Sequence, residues 1–484
     1  MSSDLKHKTA KGLGWGLINN GTTQLLNLVF GIVLARLLTP ADYGIVGVLT
    51  VFTLIAGNLQ AGGFTQGLCN MKAPEHKDYN SVFWFNITMS LTLYAILFFC
   101  APLIADFFHS PELLWLSRFV FLVIPITALS IIASAYMFKN LMVKEAAIIG
   151  IASLVISGAV GITMAFMDFK YWALACQQVT YSVVLTIGRY IYSPFRPSLS
   201  FTMEPVKRMF SFSIKMMLTT ILNSLSQQVL TFIFGRRFPM HDVGNYSQAN
   251  KWNMMASSLL QSTIATVAQP VMAEVRDDKE RALRVLRKMV RFTAFLSFPA
   301  MFGLALVSKE FILTTIGDKW LITAGMLQVL AIAGSTLPLY AMLQNVAISH
   351  GRSDTYMWLN VVQIVAQVLI IMVMKDYSIE QMVTAIAIFT VLYLFVWHAF
   401  TRKMTAVYTL LAFLKDIVPF ALIAGVTMVA TWFLTDFEWL TKHYALLLIA
   451  RMLLAAAIYA AIMFATKAEI MKECVGFVRK SERG

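Results

Sequence analysis

Apolar runs of membrane-spanning length recur along almost the whole chain, and they fix the fold class before any other feature is weighed. A helix needs about 20 apolar residues to cross hydrocarbon. Runs of that kind are expected at 12–35, 44–66, 82–105, 113–137, 146–166, 171–191, 210–234, 246–268, 292–312, 324–348, 356–374, 380–400, 417–434 and 444–465, fourteen in all. The bilayer core holds no water, so each run must satisfy its backbone within itself, and an all-α polytopic membrane protein follows. Composition agrees: 58% of the 484 residues are apolar and 13% charged, where soluble domains carry about a quarter charged residues. No length remains for a sizeable soluble domain, so function has to reside in the helices and their short connections. The basic start, Met1 to Lys11, precedes a run that is too long and too polar (Asn19, Asn20, Gln24, Asn27) for a signal-peptide core, and it is read as an uncleaved first helix.

The net charge of +14 is the excess of Lys and Arg that cytoplasmic loops collect, and no nucleic-acid partner is implied. When loops are assigned alternately from a cytoplasmic N-terminus, about 27 of the 39 Lys and Arg fall inside and about 8 outside. The inside group includes Lys6, Lys8, Lys11, Arg196, Lys207, Arg208, the stretch Arg276 to Arg291, Arg402, Lys403 and the tail cations Lys467, Lys472, Arg479, Lys480 and Arg483. Both termini are therefore expected in the cytoplasm. Cys69, Cys100, Cys176 and Cys474 are scattered, with no metal-ligand spacing, and read as packing residues.

The chain also echoes itself. Ala35-Arg36, followed by Asp42 and Gly44, recurs two hundred positions later as Gly235-Arg236, followed by Asp242 and Gly244. Each copy follows a run that carries amides: Asn19, Asn20, Gln24 and Asn27 in the first, Asn223, Gln227 and Gln228 in the second. Six spans separate the copies, so both point the same way and the repeat is parallel. The expected organisation is a six-helix lobe at 1–192, a cytoplasmic linker at 193–209, a second six-helix lobe at 210–403, and two accessory helices with a basic tail at 404–484.

Four short motifs then carry a resemblance. Arg36-Leu37-Leu38-Thr39-Pro40-Ala41-Asp42-Tyr43-Gly44 resembles the turn after the first helix of polysaccharide and O-antigen flippases. Gly244-Asn245-Tyr246-Ser247-Gln248-Ala249 is similar to the family's turn into the eighth helix, Gly317-Asp318-Lys319-Trp320 to the turn after the ninth, and Gly351-Arg352-Ser353-Asp354 to the turn after the tenth. Their order and their placement at helix ends identify the chain as a member of the multidrug/oligosaccharidyl-lipid/polysaccharide exporter superfamily, within its polysaccharide flippase branch. The resemblance implies two bundles around a cavity open alternately to either side of a bacterial inner membrane. It implies an undecaprenyl-diphosphate-linked oligosaccharide as cargo, moved outward for lipopolysaccharide or other surface polysaccharide. Further implied partners are membrane lipid, a coupling proton or sodium ion, and polysaccharide-assembly proteins; no cofactor, metal or catalytic residue is implied. The last two spans match no motif.

For such a cargo the side chains of interest are cations, which meet diphosphate, and amides, which hydrogen-bond sugar. By the boundaries above no Asp or Glu lies deep in a span, whereas Arg118, Lys215, Lys251 and Arg451 do. Lys215 and Lys251 are the first candidates for diphosphate contact, with Arg118 from the other lobe; Arg451, on an accessory helix, reads as a snorkelling residue. Asn19, Asn20, Gln24, Asn223, Gln227 and Gln228 are candidates for the glycan, with interhelical hydrogen bonds as the competing role. His398 is a candidate proton carrier, and Arg36 and Arg236 fit helix C-termini as caps. The stretch from Arg276 to Arg291 sets Arg281, Arg284, Arg287, Lys288 and Arg291 against Leu283, Leu286, Met289 and Val290, the pattern of a basic amphipathic helix lying on the membrane surface. Pro102, Pro125, Pro299, Pro338 and Pro419 fall within spans and are expected to bend them. No nucleotide-binding, HExxH or GxSxG pattern occurs. Two other readings remain at this stage: a cation-coupled multidrug exporter, which calls for intramembrane carboxylates, and a membrane glycosyltransferase or polysaccharide polymerase, which calls for a large outer loop or a carboxylate cluster.

Overall fold

The computed structural model describes residues 3–466 apart from 62–63, 65–66, 69–70, 72–73, 275–277, 351, 403 and 405–407. Every described element is helical. In order they are α1 (Ser3–Leu37), α2 (Pro40–Ala61), α3 (His76–Phe107), α4 (Leu113–Val120), α5 (Val123–Lys139), α6 (Val143–Phe166), α7 (Tyr171–Tyr192), α8 (Glu204–Arg237) and α9 (Met240–Glu274). There follow α10 (Lys279–Thr315), a 3-10 turn (Asp318–Trp320), α11 (Leu321–Gly334), α12 (Leu337–Ser349), α13 (Ser353–Val373), α14 (Ile379–Thr401), α15 (Leu410–Thr435), the short α16 (Glu438–Thr441) and α17 (Tyr444–Ala465).

All fourteen expected spans coincide with helices. Two are broken: the fourth into α4 and α5 just before Pro125, and the tenth into α11 and α12 just before Pro338. Proline removes an amide donor and crowds the preceding turn, which explains both breaks. Pro102, Pro299 and Pro419 stay inside continuous helices. Ten segments of the described residues are long and apolar enough to span. The long helices outside that set are α1, α7, α8 and α9, and these are the ones with amides, hydroxyls and cations along their length.

The chain divides into two compact units, Met1–Gly244 and Asn245–Gly484. In the first, α6 lies between α1 and α7, α5 packs on α3 and α7, and α8 packs on α2 and α3. An aromatic cluster of Phe64, Tyr79, Phe83 and Phe195 anchors the start of α3. Onto that start the segment 193–203 is strapped. Asn80 Oδ1 accepts from the Ser198 amide at 2.8 Å, Trp84 Nε1 donates to the Ser198 carbonyl at 2.6 Å, and Ser81 meets Thr202 at 3.0 Å. Arg208 closes the strap on the buried Asp78 at 2.9 Å.

In the second unit α10 is the axle, with α11, α15 and α17 packed along it. Its core gathers Leu286, Val290, Phe298, Leu343, Trp397, Tyr408 and Phe413. The expected surface-lying basic helix is corrected here: residues 281–291 are the first turns of the continuous α10, and Leu286 and Val290 are buried core. Arg276 lies outside the described residues. Gly317, in the left-handed region at φ +96°, turns the chain so that Trp320 is fully buried.

The two hundred-residue echo is physical. α1 turns into α2 through residues 38–39, and α8 turns into α9 through residues 238–239. The Leu38 amide donates to Leu34 and the Phe238 amide to Phe234, both at 2.8 Å. Where the second helices of the two corners cross, the glycines act reciprocally. A Cβ on Gly44 would run into the Met240 carbonyl, and one on Gly244 into the Pro40 carbonyl. Only glycine permits that approach.

Candidate functional site

The amides picked out by sequence are divided by the packing. Asn19 turns its Oδ1 against Gly150 of α6 and is half-buried between helices, whereas Asn20 is exposed and Gln24 half-buried on the same helix. On α8, Gln227 is exposed and Gln228 half-buried. The side chains of Lys215 and Asn223 lie outside the described residues. A contact sequence reasoning did not reach, Asn58 Nδ2 to Ser224 Oγ at 2.5 Å, ties α2 to α8. Gln60 likewise donates to the Ile124 carbonyl at 3.1 Å. Polar side chains in this unit therefore also serve as interhelical ties.

The cations differ sharply in their surroundings. Arg118 lies 4.4 Å from the Phe98 ring centroid and 4.8 Å from that of Trp115, and its Nε donates to the Phe98 carbonyl at 3.4 Å. Trp115 is itself largely exposed, so Arg118 sits in an aromatic clamp on an outward face. Arg236, beyond its place in the last turn of α8, contacts the His109 ring and lies 5.1 Å from the Phe107 centroid. Lys251 is exposed, 5.8 Å from the Trp252 ring. Among the described residues no carboxylate comes within ion-pair distance of it.

Arg189, in the last turn of α7, is a cation that the sequence reading passed over. Its Nη1 donates to Ser130 Oγ at 3.1 Å, and that hydroxyl also meets Thr186 Oγ1 at 3.2 Å. No carboxylate pairs with it among the described residues. The signal was present, because α7 reads Gln177, Gln178, Thr180, Ser182, Thr186, Arg189, too polar a run for a lipid-facing helix.

In the second unit Arg287, Arg291 and Arg451 are compensated, which overturns two expectations. Arg451 does not snorkel. Its side chain is 7% exposed, and Nη1 lies 2.9 Å from Oε1 of Glu310, a side chain 5% exposed; its Nε donates to Thr435 at 3.0 Å. A carboxylate thus does lie inside a span. A second one, Asp416 in α15, is fully buried. It accepts from Arg287 Nε at 2.8 Å, Arg287 Nη2 at 3.0 Å, Arg291 Nε at 2.6 Å and the Tyr408 hydroxyl at 2.8 Å. Burial, and after it the Asp416 carboxylate, push the Tyr408 phenol up from its ordinary value, so it remains a donor. His398 is buried beside this cluster, stacked 4.4 Å from Phe413. Arg451 also borders an apolar cavity of about 750 Å³ between α9, α10, α15 and α17, lined by Pro299, Gly303, Leu448 and Tyr459 among others.

The described residues thus form a polytopic helical membrane protein built on a repeated helical corner, with several of its long helices polar along their length. Solved structures share the fold. The lipid II flippase MurJ in an inward closed conformation matches at a TM-score of 0.67 and 16% identity, over 92% of this chain and 99% of that one. An inward-facing multidrug resistance MATE family transporter of the MOP superfamily matches at 0.61 and 15%, over 79% and 94%.

The chain belongs to the polysaccharide biosynthesis protein family, whose profile matches residues 33–325. Its relatives include the succinoglycan biosynthesis transport protein ExoT of Rhizobium meliloti, 26% identical over 70% of this chain and 68% of the relative. The lipopolysaccharide biosynthesis protein WzxC of Escherichia coli is 26% identical over 68% of each. The teichuronic acid biosynthesis protein TuaB of Bacillus subtilis is 24% identical over 71% of each.

Proposed function

We propose that the chain is a flippase that carries a polyprenyl-diphosphate-linked oligosaccharide across the inner membrane, from the cytoplasmic to the outer leaflet, by alternating access for surface polysaccharide synthesis. The observation that carries this reading is Lys251: a lysine on a long polar helix with no carboxylate in ion-pair reach among the described residues. An uncompensated cation at membrane depth is costly unless water or an anion attends it, and a lipid diphosphate is such an anion. Lys215 is assigned the same role, and Asn20, Gln24, Asn223, Gln227 and Gln228 the glycan hydroxyls. Asn19 and Arg118 are assigned to packing and anchoring, on the contacts they make. Family membership supports the cargo class, since the relatives' names place them in polysaccharide biosynthesis and transport. Basic loops support cytoplasmic termini, and the repeated corner supports two six-helix lobes followed by an accessory pair.

The multidrug-exporter reading gains nothing from the two carboxylates, because Glu310 is occupied by Arg451 and Asp416 by Arg287 and Arg291. Neither is left to receive a cationic drug. The name of the relative ExoT, a biosynthesis transport protein, supports placing the chain among transporters rather than polymerases. The test is flipping of a fluorescent undecaprenyl-diphosphate oligosaccharide in proteoliposomes. Parent protein is expected to flip it, and Lys251→Ala to lose most of that activity at matched reconstitution. Sugar-chain extension by the purified parent, or no flipping of several glycans by folded protein, would overturn the assignment.

A further inference from the structure

We infer that Arg189 is a binding residue for lipid phosphate, set inside the first unit and turned back from the end of its own helix. This rests on the flippase reading above and adds a residue and a place to it. Arg189 occupies the last turn of α7, a position from which a long side chain would be expected to reach outward past the helix end. It goes the other way. Cα–Cβ bonds in a helix tilt toward the N-terminus, and the guanidinium follows that tilt to Ser130, in the middle of α5.

The contacts between α5 and α7 fix the direction. Thr186 donates to the Ile126 carbonyl at 3.0 Å and Tyr190 to the Leu129 carbonyl at 2.7 Å, so the two helices run parallel. Ser130 precedes the end of α5 at Lys139 by nine residues, a rise of about 13 Å. Lys139 itself is engaged at that end by the Leu68 and Met71 carbonyls. The guanidinium is therefore held level with the middle of α5, about 13 Å short of that helix's end, while the helix end has its own cation.

The donor count shows what Arg189 lacks. A guanidinium carries five N–H donors in a planar fork. Ser130 takes one of them, and no carboxylate lies within ion-pair distance among the described residues. Ser130 is fully buried and Arg189 half-buried, so the hydroxyl fixes one edge of the fork and leaves the other N–H groups without a carboxylate partner among the described residues. A fork fixed at one edge suits a phosphate oxyanion, which accepts two parallel N–H bonds, better than a single carbonyl. Two sources supply that group within a membrane: the diphosphate of a lipid-linked cargo and the headgroup of an anionic phospholipid.

The experiment is ligand-induced thermal stabilisation of the detergent-purified full chain, titrated separately with farnesyl diphosphate and with phosphatidylglycerol, alongside the flipping assay. Farnesyl diphosphate is expected to stabilise the parent, and Arg189→Gln to weaken its apparent affinity about tenfold, the loss of one charge-assisted pair. Arg189→Lys, which keeps charge without the fork and guards against a folding defect in the Gln variant, is expected to fall between. Stabilisation by phosphatidylglycerol alone, lost in Arg189→Gln, would support the site and assign it to a bilayer headgroup. A role confined to tying α7 to α5 would lower the ligand-free melting temperature of Arg189→Gln and leave its ligand response at the parental value, which overturns the inference. Flipping and diphosphate affinity both unchanged in Arg189→Gln would overturn it too and leave the flippase reading intact. A folded parent that neither flips cargo nor responds to diphosphate would overturn both.

Discussion

The arginines turned into the helix packing are treated in opposite ways in the two units. In Asn245–Gly484 the arginines are matched to carboxylates: Arg451 to Glu310 with both side chains nearly fully buried, and Arg287 with Arg291 to Asp416. In Met1–Gly244 the inward cation Arg189 has a serine hydroxyl and no carboxylate among the described residues. A matched pair costs desolvation that only its partner repays, so it fastens helices and is closed to other ligands. An unmatched cation contributes little to fastening and stays open to an anion. The contrast separates architecture from transport: α10, α15 and α17 are riveted, while α7 offers a binding group.

The largest break in this comparison should come from Glu310→Gln. It strands Arg451 in a buried site and is expected to cost about 3–5 kcal/mol, read as a large fall in melting temperature in detergent. Replacing both members, Glu310→Leu with Arg451→Met, should restore most of it. Asp416→Asn comes next, at about 2–3 kcal/mol. Two arginines lose their carboxylate together, but both are more than a third exposed and water softens the loss. Gly44→Ala should follow, at about 1–3 kcal/mol for forcing a methyl into the Met240 carbonyl, read as a lowered melting temperature that Gly57→Ala, in open space on the same helix, does not reproduce. Smallest is Arg189→Gln, expected to change ligand-free stability by less than about 1 kcal/mol, one hydrogen bond's worth. A stability loss at Arg189 as large as that at Glu310 would erase the distinction.

Much of the fold was legible because hydrocarbon imposes a length and a polarity on every crossing. Each expected run became a helix, and Pro125 and Pro338 marked the two that break. The polar character of α1, α7, α8 and α9 was readable too, since amides and hydroxyls are conspicuous against leucine and phenylalanine. Orientation was not. Asn19 and Asn20 are adjacent letters of one type, yet one faces α6 and the other is exposed, a difference set by where α6 packs. The Glu310 and Arg451 pair was illegible for a related reason. The residues are distant in sequence, Glu310 sits near a helix end where a carboxylate would ordinarily reach water, and only the packing of α17 on α10 turns it inward. The amphipathic reading of residues 281–291 failed because a helix that continues into the membrane and one that lies on its surface share the same periodicity over their first turns.

The reciprocal glycines carry a consequence for how sequences of this kind can drift. Each corner connects its helices through two residues, 38–39 and 238–239, and each glycine clears the other helix's path. A single residue inserted in either corner would rotate the following glycine by about 100° around its helix axis and present a side chain to a passing backbone. No substitution in the other corner could undo that, because the other corner already has no side chain to give up. Lipid-facing positions along the helices are free to vary, while each of these two turns is bound to keep its length.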